Sequence, residues 1–207
     1  MNRILKNVIG IIILGVVAYN SVYFKKLDEV KKGNGKNTLD AKVFANNFYQ
    51  EKILKNADKA IAINELTDKL KTNSDETFKQ FAHSLGIGNI RYFLVKATGK
   101  ITKINENTLD FDVDGKPYSI ATEFIFGNAV RDASGIITMT TFENTMDFNN
   151  VSSELNEIIR NKVVPDLKKK ATLGSQISLT GAIELNQKHL KLNEIEIIPV
   201  TFINIQK

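Results

Sequence analysis

Two blocks of β-strands with a helical segment between them constrain the fold of this chain most strongly. In the first block, apolar and acidic residues alternate from Leu109 to Val113, and Asp114-Gly115 then supplies the residue types of a hairpin turn. In the second block, apolar residues alternate with polar neighbours from Ile177 to Leu185. Strands, a helix and further strands succeed one another in five-stranded Greek-key barrels of the OB type, and a two-sheet sandwich gives almost the same pattern. The sequence therefore predicts a mainly β domain with helices (α+β), built as an OB-like barrel or as a two-sheet β domain.

The chain divides into an apolar leader, a polar tether and one folded domain. Its 207 residues are enough for one well-buried domain with an appendage. The polar, glycine-containing stretch from Lys31 to Asn37 cannot bury enough apolar surface to fold by itself. We expect a signal anchor over residues 1–24, a flexible tether over 25–38 and a single periplasmic domain over 39–207. This domain comprises a helical part (39–90), a β part (91–148), a helix (149–173) and a final β part (174–207).

Caps and apolar spacing predict the individual elements. In the helical part we expect helices from Ala41 to about Lys55, from Ile61 to Leu70 and from Ser74 to Leu85, the last with Ser74 as N-cap and Gly86 as its stop. The predicted elements that follow the hairpin are a strand from Ile136 to Phe142, a helix capped by Asn150 that loosens at Pro165, and one or two strands between Leu190 and Ile205 with Pro199 at a break, edge or bulge.

The leader predicts export and membrane attachment. Arg3 and Lys6 precede a run from Val8 to Phe24 that is apolar except near its end, and its 17 residues lie at the lower limit for a spanning helix. Val16-Val17-Ala18 has the small-residue spacing that a signal peptidase tolerates, so a cleaved signal is the alternative. Lysines after the run favour a cytoplasmic carboxyl side, but long domains often cross regardless of such charges. We therefore expect a single-pass inner-membrane protein whose C-terminal domain lies in the periplasm.

The charge of the chain is that of an ordinary protein surface. The formal net charge is +5, from 28 basic and 23 acidic residues. Without Arg3 and Lys6 of the leader, 26 basic residues remain and the net charge is +3, which is too small to indicate a nucleic-acid-binding surface. The sequence has no cysteine, and this excludes disulfides, thiolate metal sites, a cysteine nucleophile and a lipid-accepting cysteine.

No motif of the sequence indicates catalysis, a cofactor or a metal. Asp110-x-Asp112-x-Asp114-Gly115 matches the first half of a calcium loop, but the twelfth position is Ala121 instead of the bidentate glutamate. The spacing of these aspartates is better explained by a strand that leads into a hairpin, with the aspartates on its solvent-exposed face. His83 and His189 are the only histidines, too few for a zinc cluster, and we expect His83 on a helix surface. We therefore expect no metal, no cofactor and no enzymatic activity.

The best candidate for a site is the polar segment from Gly127 to Ser134, where Asn128, Arg131 and Asp132 lie close together in sequence. Two interpretations are open. In the first, Arg131 and Asp132 pair with each other or with neighbours while Asn128 satisfies backbone groups, as is common for polar clusters. In the second, these three residues bind a small polar ligand, with Arg131 as a planar donor fork for a carboxylate, a phosphate or vicinal hydroxyls.

Five segments carry a resemblance to a known family. They are Phe93 to Gly99, Gly127 to Ala133, Phe142-Glu143-Asn144, Gly174 to Ala182 and Ile198-Pro199-Val200. With these segments, of which the Asn-x-x-Arg-Asp pattern is the most distinctive, the chain from about Leu39 onward resembles the bacterial predicted periplasmic lipoproteins of domain of unknown function 2291. The resemblance implies a mainly β envelope protein, often encoded near sugar uptake transporters, and it implies neither catalysis nor site residues. This chain departs from the lipoprotein pattern because it lacks the lipid-accepting cysteine.

These observations lead to two hypotheses for function. The first is a non-enzymatic, membrane-anchored periplasmic domain that binds a small polar ligand or a transporter component, as an accessory of a sugar uptake transporter, and that binds no nucleic acid. The alternative is an OB-type nucleic-acid-binding module that faces the cytoplasm, suggested by the barrel pattern, the basic net charge and the lysines after the leader. A reporter fused to the C-terminus distinguishes the two compartments.

Overall fold

The computed structural model describes residues 3–21 and 39–205. The chain forms two compact units, one within residues 1–38 and one within residues 39–207. The tether predicted over residues 25–38 lies outside the described residues. The larger unit contains every described strand.

The described part of the first unit is a single helix, α1 (Arg3–Ser21). Its apolar side chains are largely exposed, with Ile11 at 69% and Leu14 at 70%. Among the residues that the structure describes, no helix combines the length and the apolar character that a membrane crossing requires.

Six helices and six strands make up the described part of the second unit. The helices are α2 (Ala41–Phe48), α3 (Ile63–Thr72), α4 (Ser74–Phe81), α5 (Ala129–Asp132), α6 (Thr145–Ile158) and α7 (Val164–Lys170). The strands are β1 (Ile61–Ala62), β2 (Ile90–Ile104), β3 (Thr108–Val113), β4 (Lys116–Ala121), β5 (Gln176–Asn186) and β6 (Glu196–Ile205). Short π-helical and 3-10 turns extend α2 to Lys59. A π-helical turn, Ile159–Val163, joins α6 to α7 just before Pro165. Proline has no N–H to donate to the preceding turn, so the regular α-helical hydrogen bonding is interrupted here. The predicted loosening of the helix is at this place.

Strands β2 to β6 close into a five-stranded barrel. Neighbouring strands follow the order β2-β3-β4-β6-β5, and β5 pairs again with β2 from Ile90–Asn186 to Lys100–Gln176. Within this ring the pairings are antiparallel except that of β4 with β6, and β1 is added to β2 in parallel outside the ring. Helices α5 to α7 connect the third barrel strand to the fourth. This order is that of the OB fold, so the predicted OB-like barrel is confirmed and the sandwich alternative is not.

Glycines and bulges allow the strands to curve around the barrel. A Cβ atom at Gly99 of β2 would overlap the carbonyl oxygen of Asp112 on β3, so the two backbones approach more closely than a side chain permits. The register of β5 and β6 shifts where Gly181 faces Pro199, which leaves Val200 as an extra residue. The Tyr49 hydroxyl donates a hydrogen bond of 2.8 Å to the Val200 carbonyl. Pro199 thus lies at a bulge, as predicted.

Two hydrophobic clusters stabilise the second unit. The first fills the barrel and includes side chains from α3 and α4. In it, Phe78 of α4 is 3% exposed and its ring centroid lies 5.4 Å from that of Phe93 on β2. The second cluster lies between α2, α5, α6 and the opposite face of β5 and β6, with Leu155 and Val200 both fully buried. Phe78 is thus buried against the first β block, whereas Phe81 is only partly buried.

The Asp-Gly hairpin forms as its sequence predicts. Asp114 has a φ of 54° and Gly115 a φ of 80°, the left-handed conformation that these two residue types accept. Asp112 Oδ1 accepts a hydrogen bond of 3.1 Å from the Gly115 N–H, and Asp110 Oδ1 accepts one of 2.7 Å from Asn105 Nδ2. The two carboxylates thus serve the turn and the strand. Across residues 3–21 and 39–205, no group of three or more His, Cys, Asp or Glu side chains could hold a metal ion.

The segment between the hairpin and α6 differs from its prediction. Residues Ile136 to Phe142 form no strand but an irregular stretch with a 3-10 turn, Met139–Thr141, in which Thr138 and Thr141 make a capping box. Threonine hydroxyls that bond to nearby backbone groups compete with strand pairing. Helix α6 begins at Thr145 rather than after Asn150, because the Asn144 side chain accepts the Asp147 N–H at 2.8 Å and caps it.

The helical part also differs from its prediction at its ends. Helix α3 starts at Ile63 because Ile61 and Ala62 pair with β2 instead. Helix α4 is capped by Asn73 rather than by Ser74, and it ends at Phe81. Beyond it, His83 exchanges two backbone hydrogen bonds of 2.8 Å with Tyr92 of β2. The prediction of His83 on a helix surface is therefore wrong, since β pairing with Tyr92 replaces the last helical turn.

Candidate functional site

The segment from Gly127 to Ser134 forms a turn and the short helix α5 between β4 and α6. Gly127 has a φ of 77°, and α5 follows directly. Arg131 is 1% exposed and Asp132 3%, and Arg131 ranks first by volume among the fully buried side chains. The structure thus places Arg131 and Asp132 inside the domain, against α6, whereas Asn128 is half-buried.

Neighbouring groups hold the Arg131 guanidinium from several directions. Its Nε donates to Asp132 Oδ1 at 2.6 Å, and its Nη1 donates to the Phe148 carbonyl at 3.1 Å and to Ser152 Oγ at 2.7 Å. Its Cζ lies 3.3 Å from the centroid of the Phe148 ring, which adds a cation–π contact. Within the described residues, only Nη2 of this side chain has no hydrogen-bond partner, and it is buried.

The remaining polar groups link α5 to α6 and to the segment after α4. Asp132 Oδ2 accepts the Leu85 N–H at 3.4 Å, and Ser152 Oγ donates to Asn128 Oδ1 at 3.1 Å. Asn156 Nδ2 donates to the Gly127 carbonyl at 2.9 Å. We call Asn128, Arg131, Asp132, Ser152 and Asn156 the Arg131 cluster. Apart from Arg131 Nη2 and Asn156 Oδ1, the buried side-chain polar atoms of this cluster have hydrogen-bond partners within the described residues. This pattern matches the interpretation of an internally paired cluster, and direct ligand binding by Asn128, Arg131 and Asp132 stays a prediction.

Beside the Arg131 cluster lies a cleft of about 300 Å³, at the lower end of the size range of small-molecule sites. The hydrogen-bonding side chains that line it are Asn56, Lys59, Gln80, His83 and Ser134. Its apolar walls are Ile61, Phe81, Leu94, Ala133 and Ile136. We call this the His83 cleft. It has the mixture of apolar walls and a few convergent polar groups that is typical of a binding site.

Separate segments of the chain bring the polar side chains of the His83 cleft together. Asn56 and Lys59 lie in the 3-10 turn after α2, and Gln80 lies near the end of α4. His83 pairs with β2, and Ser134 follows α5. No short motif contains these residues, so sequence patterns miss Asn56, Lys59 and Gln80. Ser134 alone falls within the segment that the sequence singles out.

Contacts with Gly135 and Tyr92 fix the position of His83. The backbone of His83 is paired with Tyr92. A Cβ atom at Gly135 would lie only 2.6 Å from His83 Nδ1, and Gly135 has a φ of 65°. The imidazole therefore packs against position 135. Glycine suits this position because it accepts the positive φ and has no side chain that would overlap the ring.

Replacing Gly135 by alanine should move His83 and destabilise the domain. The left-handed φ costs about 1–2 kcal/mol for a residue with a Cβ. Turning the exposed His83 imidazole away from the new Cβ adds about 0.5–1.5 kcal/mol. Gly174→Ala is the matched control, since Gly174 has a φ of 80° but no atom within 4 Å of a Cβ. Urea unfolding should show the larger loss for Gly135→Ala. Equal losses in the two variants would mean that His83 does not pack there.

His83 should be neutral at pH 7. Partial burial lowers the pKa of its imidazole below the ordinary value of 6.5, and the Asp132 carboxylate opposes this by a smaller amount. Because the folded pKa lies below the unfolded one, the stability linked to His83 is complete above pH 6.5 and is lost as the pH falls through the folded pKa. NMR can follow the two histidines separately. A His83 midpoint above 6.5 would show that Asp132 outweighs burial.

The groups of the His83 cleft suit hydrogen bonding to a small molecule. The Gln80 amide can donate and accept, and so can the neutral His83 ring, whereas Lys59 donates only. Asn56 Nδ2 already donates to the Lys52 carbonyl at 2.8 Å, which leaves its second N–H and its oxygen. Phe81 contributes to the apolar wall. The arrangement can therefore orient a ligand that carries several polar groups on an apolar frame.

Comparisons with known proteins agree with the barrel architecture. A family model described as "Predicted periplasmic lipoprotein (DUF2291)" matches residues 12–202. The crystal structure of an OB-fold protein from Thermotoga maritima is similar to this chain, with a TM-score of 0.71 and 24% sequence identity, over 82% of this chain and 100% of that one. At this identity the similarity shows the fold alone. Among curated proteins, none matches the sequence.

Proposed function

The chain belongs to the predicted periplasmic lipoprotein family of domain of unknown function 2291, and on this basis we propose that it is a non-enzymatic, membrane-anchored periplasmic protein that binds a small polar ligand. The main support for this proposal is the His83 cleft. Five hydrogen-bonding residues line it. By contrast, Arg131 uses three of its five N–H donors on Asp132 and α6, and both oxygens of Asp132 accept hydrogen bonds, from Arg131 and from Leu85.

The size and lining of the His83 cleft favour a ligand of monosaccharide size. Its volume of about 300 Å³ equals that of about ten waters in the liquid. Vicinal hydroxyls both donate and accept, as do the amides of Asn56 and Gln80, and the Phe81 wall suits the apolar face of a sugar ring. The resemblance to proteins encoded near sugar uptake transporters supports the same ligand class. We therefore include in the proposal a role as an accessory binding component of such a transporter.

Calorimetric titration of the full-length protein in detergent with a panel of monosaccharides tests the proposed binding. At least one sugar should bind, and His83→Ala and Gln80→Ala should each weaken its binding about ten-fold or more, as expected for the loss of a ligand hydrogen bond. His189→Ala is the control, because His189 does not line the cleft. Binding that all three variants retain, or no binding by any sugar, would contradict the proposal.

The proposed membrane anchor is the apolar leader, residues 1–24, which includes helix α1. Apolar side chains such as Ile11 and Leu14 are exposed along α1, and the apolar run of the sequence continues beyond α1 to Phe24. A C-terminal reporter that is active only in the periplasm should be active, and the protein should resist extraction by alkaline carbonate. Activity of a cytoplasm-only reporter would instead favour the nucleic-acid-binding alternative.

A further inference from the structure

We propose that the ligand of the His83 cleft carries an acidic group, a carboxylate or a phosphate, which Lys59 and His83 bind. This inference rests on the proposed function, because it names the chemical class of the ligand for the same cleft. Three features of the cleft support it: the charges of its lining, the state of the nearest buried carboxylate, and the donors that are left for a ligand.

The lining of the His83 cleft has a positive charge and no negative one. Lys59 is a cation, and none of the ten residues that line the cleft is acidic. Asp58, its neighbour in sequence, is exposed and does not line the cleft. A neutral ligand would leave the Lys59 ammonium without an ionic partner. Lys59 is itself exposed, so water partly screens its attraction to an acidic group. The charge-assisted hydrogen bonds between the two groups supply the remaining preference.

The carboxylate of Asp132, close to His83, does not oppose this charge preference. Its side chain is 1% exposed and forms an ion pair of 2.6 Å with Arg131, so the pair carries no net charge. Its second oxygen accepts the Leu85 N–H. Asp132 therefore faces the protein interior with both oxygens occupied, and the cleft keeps the charge of Lys59.

The donors of the His83 cleft outnumber its acceptors. The Lys59 ammonium offers three N–H donors and no acceptor, and the neutral His83 ring offers one N–H. Ser134 Oγ already donates to the Arg131 carbonyl at 3.1 Å and accepts from the Ile136 N–H at 3.3 Å. Carboxylate and phosphate oxygens only accept when ionised, so they match Lys59 and His83 directly. Asn56 Nδ2 already donates to the Lys52 carbonyl at 2.8 Å, so the Gln80 amide and the remaining N–H and oxygen of Asn56 are left for the hydroxyls of the same ligand.

An acidic polyol of monosaccharide size fits both sets of groups. Titration calorimetry on the full-length protein should compare D-glucose with D-glucuronate and D-glucose 6-phosphate, which add a carboxylate and a phosphate to the same ring. At least one of the acids should bind about ten-fold or more tightly than glucose, as expected for a charge-assisted hydrogen bond. Which acid binds more tightly identifies the acidic group.

Lysine variants locate the acidic group of the bound sugar. Lys59→Gln should abolish the preference for the acid over glucose. Lys55→Gln is the matched control, because Lys55 is an exposed lysine one helical turn away that pairs with Glu51 and does not line the cleft. Equal binding of glucose and both acids, or equal losses in the two variants, would overturn the inference and leave the proposed small-ligand function in place. If none of the three compounds binds but another neutral sugar does, the inference of an acidic ligand is wrong and the proposed small-ligand function stands. If no sugar binds at all, both proposals are wrong.

Discussion

Replacing Arg131 by alanine should lower the free energy of unfolding by about 3–5 kcal/mol. The change leaves the Asp132 carboxylate buried without its cationic partner and removes the contact with the Phe148 ring. Urea denaturation followed by circular dichroism measures the loss. Changing Arg131 and Asp132 together to apolar residues should recover much of it, because no uncompensated charge then remains in the interior.

The comparison for this prediction is Arg91→Ala. Arg91 donates from Nη1 to the carbonyls of Gly88 and Ile90 near the surface, and its loss should cost less than about 1 kcal/mol. If Arg131→Ala were equally mild and the variant no longer bound a ligand, Arg131 would be a recognition residue and the structural interpretation of the Arg131 cluster would be wrong.

Replacing Phe78 by alanine should cost a similar amount, about 3–5 kcal/mol. Phe78 is 3% exposed and packs against Phe93, so its removal opens a cavity between α4 and the barrel. Phe124→Ala provides the comparison, because Phe124 is 70% exposed and its loss should change the stability by less than about 0.5 kcal/mol. A loss below about 1 kcal/mol for Phe78→Ala in urea denaturation would mean that α4 is not part of the barrel core.

The barrel was predictable because its signals are local. The alternation from Leu109 to Val113 and from Ile177 to Leu185 has the period of a strand, and Asp114-Gly115 is a turn that neighbouring residues specify without help. Each of these stretches lies on a barrel strand or its hairpin in the structure. The order of strands and helices then admits few topologies, and the OB barrel is one of them.

The incorrect elements depend on interactions that a local pattern does not contain. The helical spacing of apolar residues continues past Phe81, but the pairing of His83 with Tyr92 joins positions that are nine residues apart in the sequence and ends the helix. The apolar and threonine-rich stretch from Ile136 to Phe142 has the composition of a strand. Its threonine side chains instead bond to each other and to their own backbone.

The sequence could locate the Arg131 cluster but could not decide its role. Arg131 and Asp132 are adjacent, so their pairing is apparent, whereas Phe148 and Ser152 lie 17 and 21 residues further along the chain. Only the packing of α6 shows that the guanidinium is enclosed. The His83 cleft was beyond local patterns altogether, because its polar residues come from four segments between Asn56 and Ser134.

An NMR titration of the full-length protein with D-glucuronate tests most directly whether the His83 cleft is the functional site. With only two histidines in the chain, the imidazole Cε1–H signals of His83 and His189 can be followed together, and His189 serves as the internal control. We expect the His83 signal to shift to saturation at the calorimetric affinity while the His189 signal stays in place. A bound ligand that leaves the His83 signal unmoved would contradict this expectation.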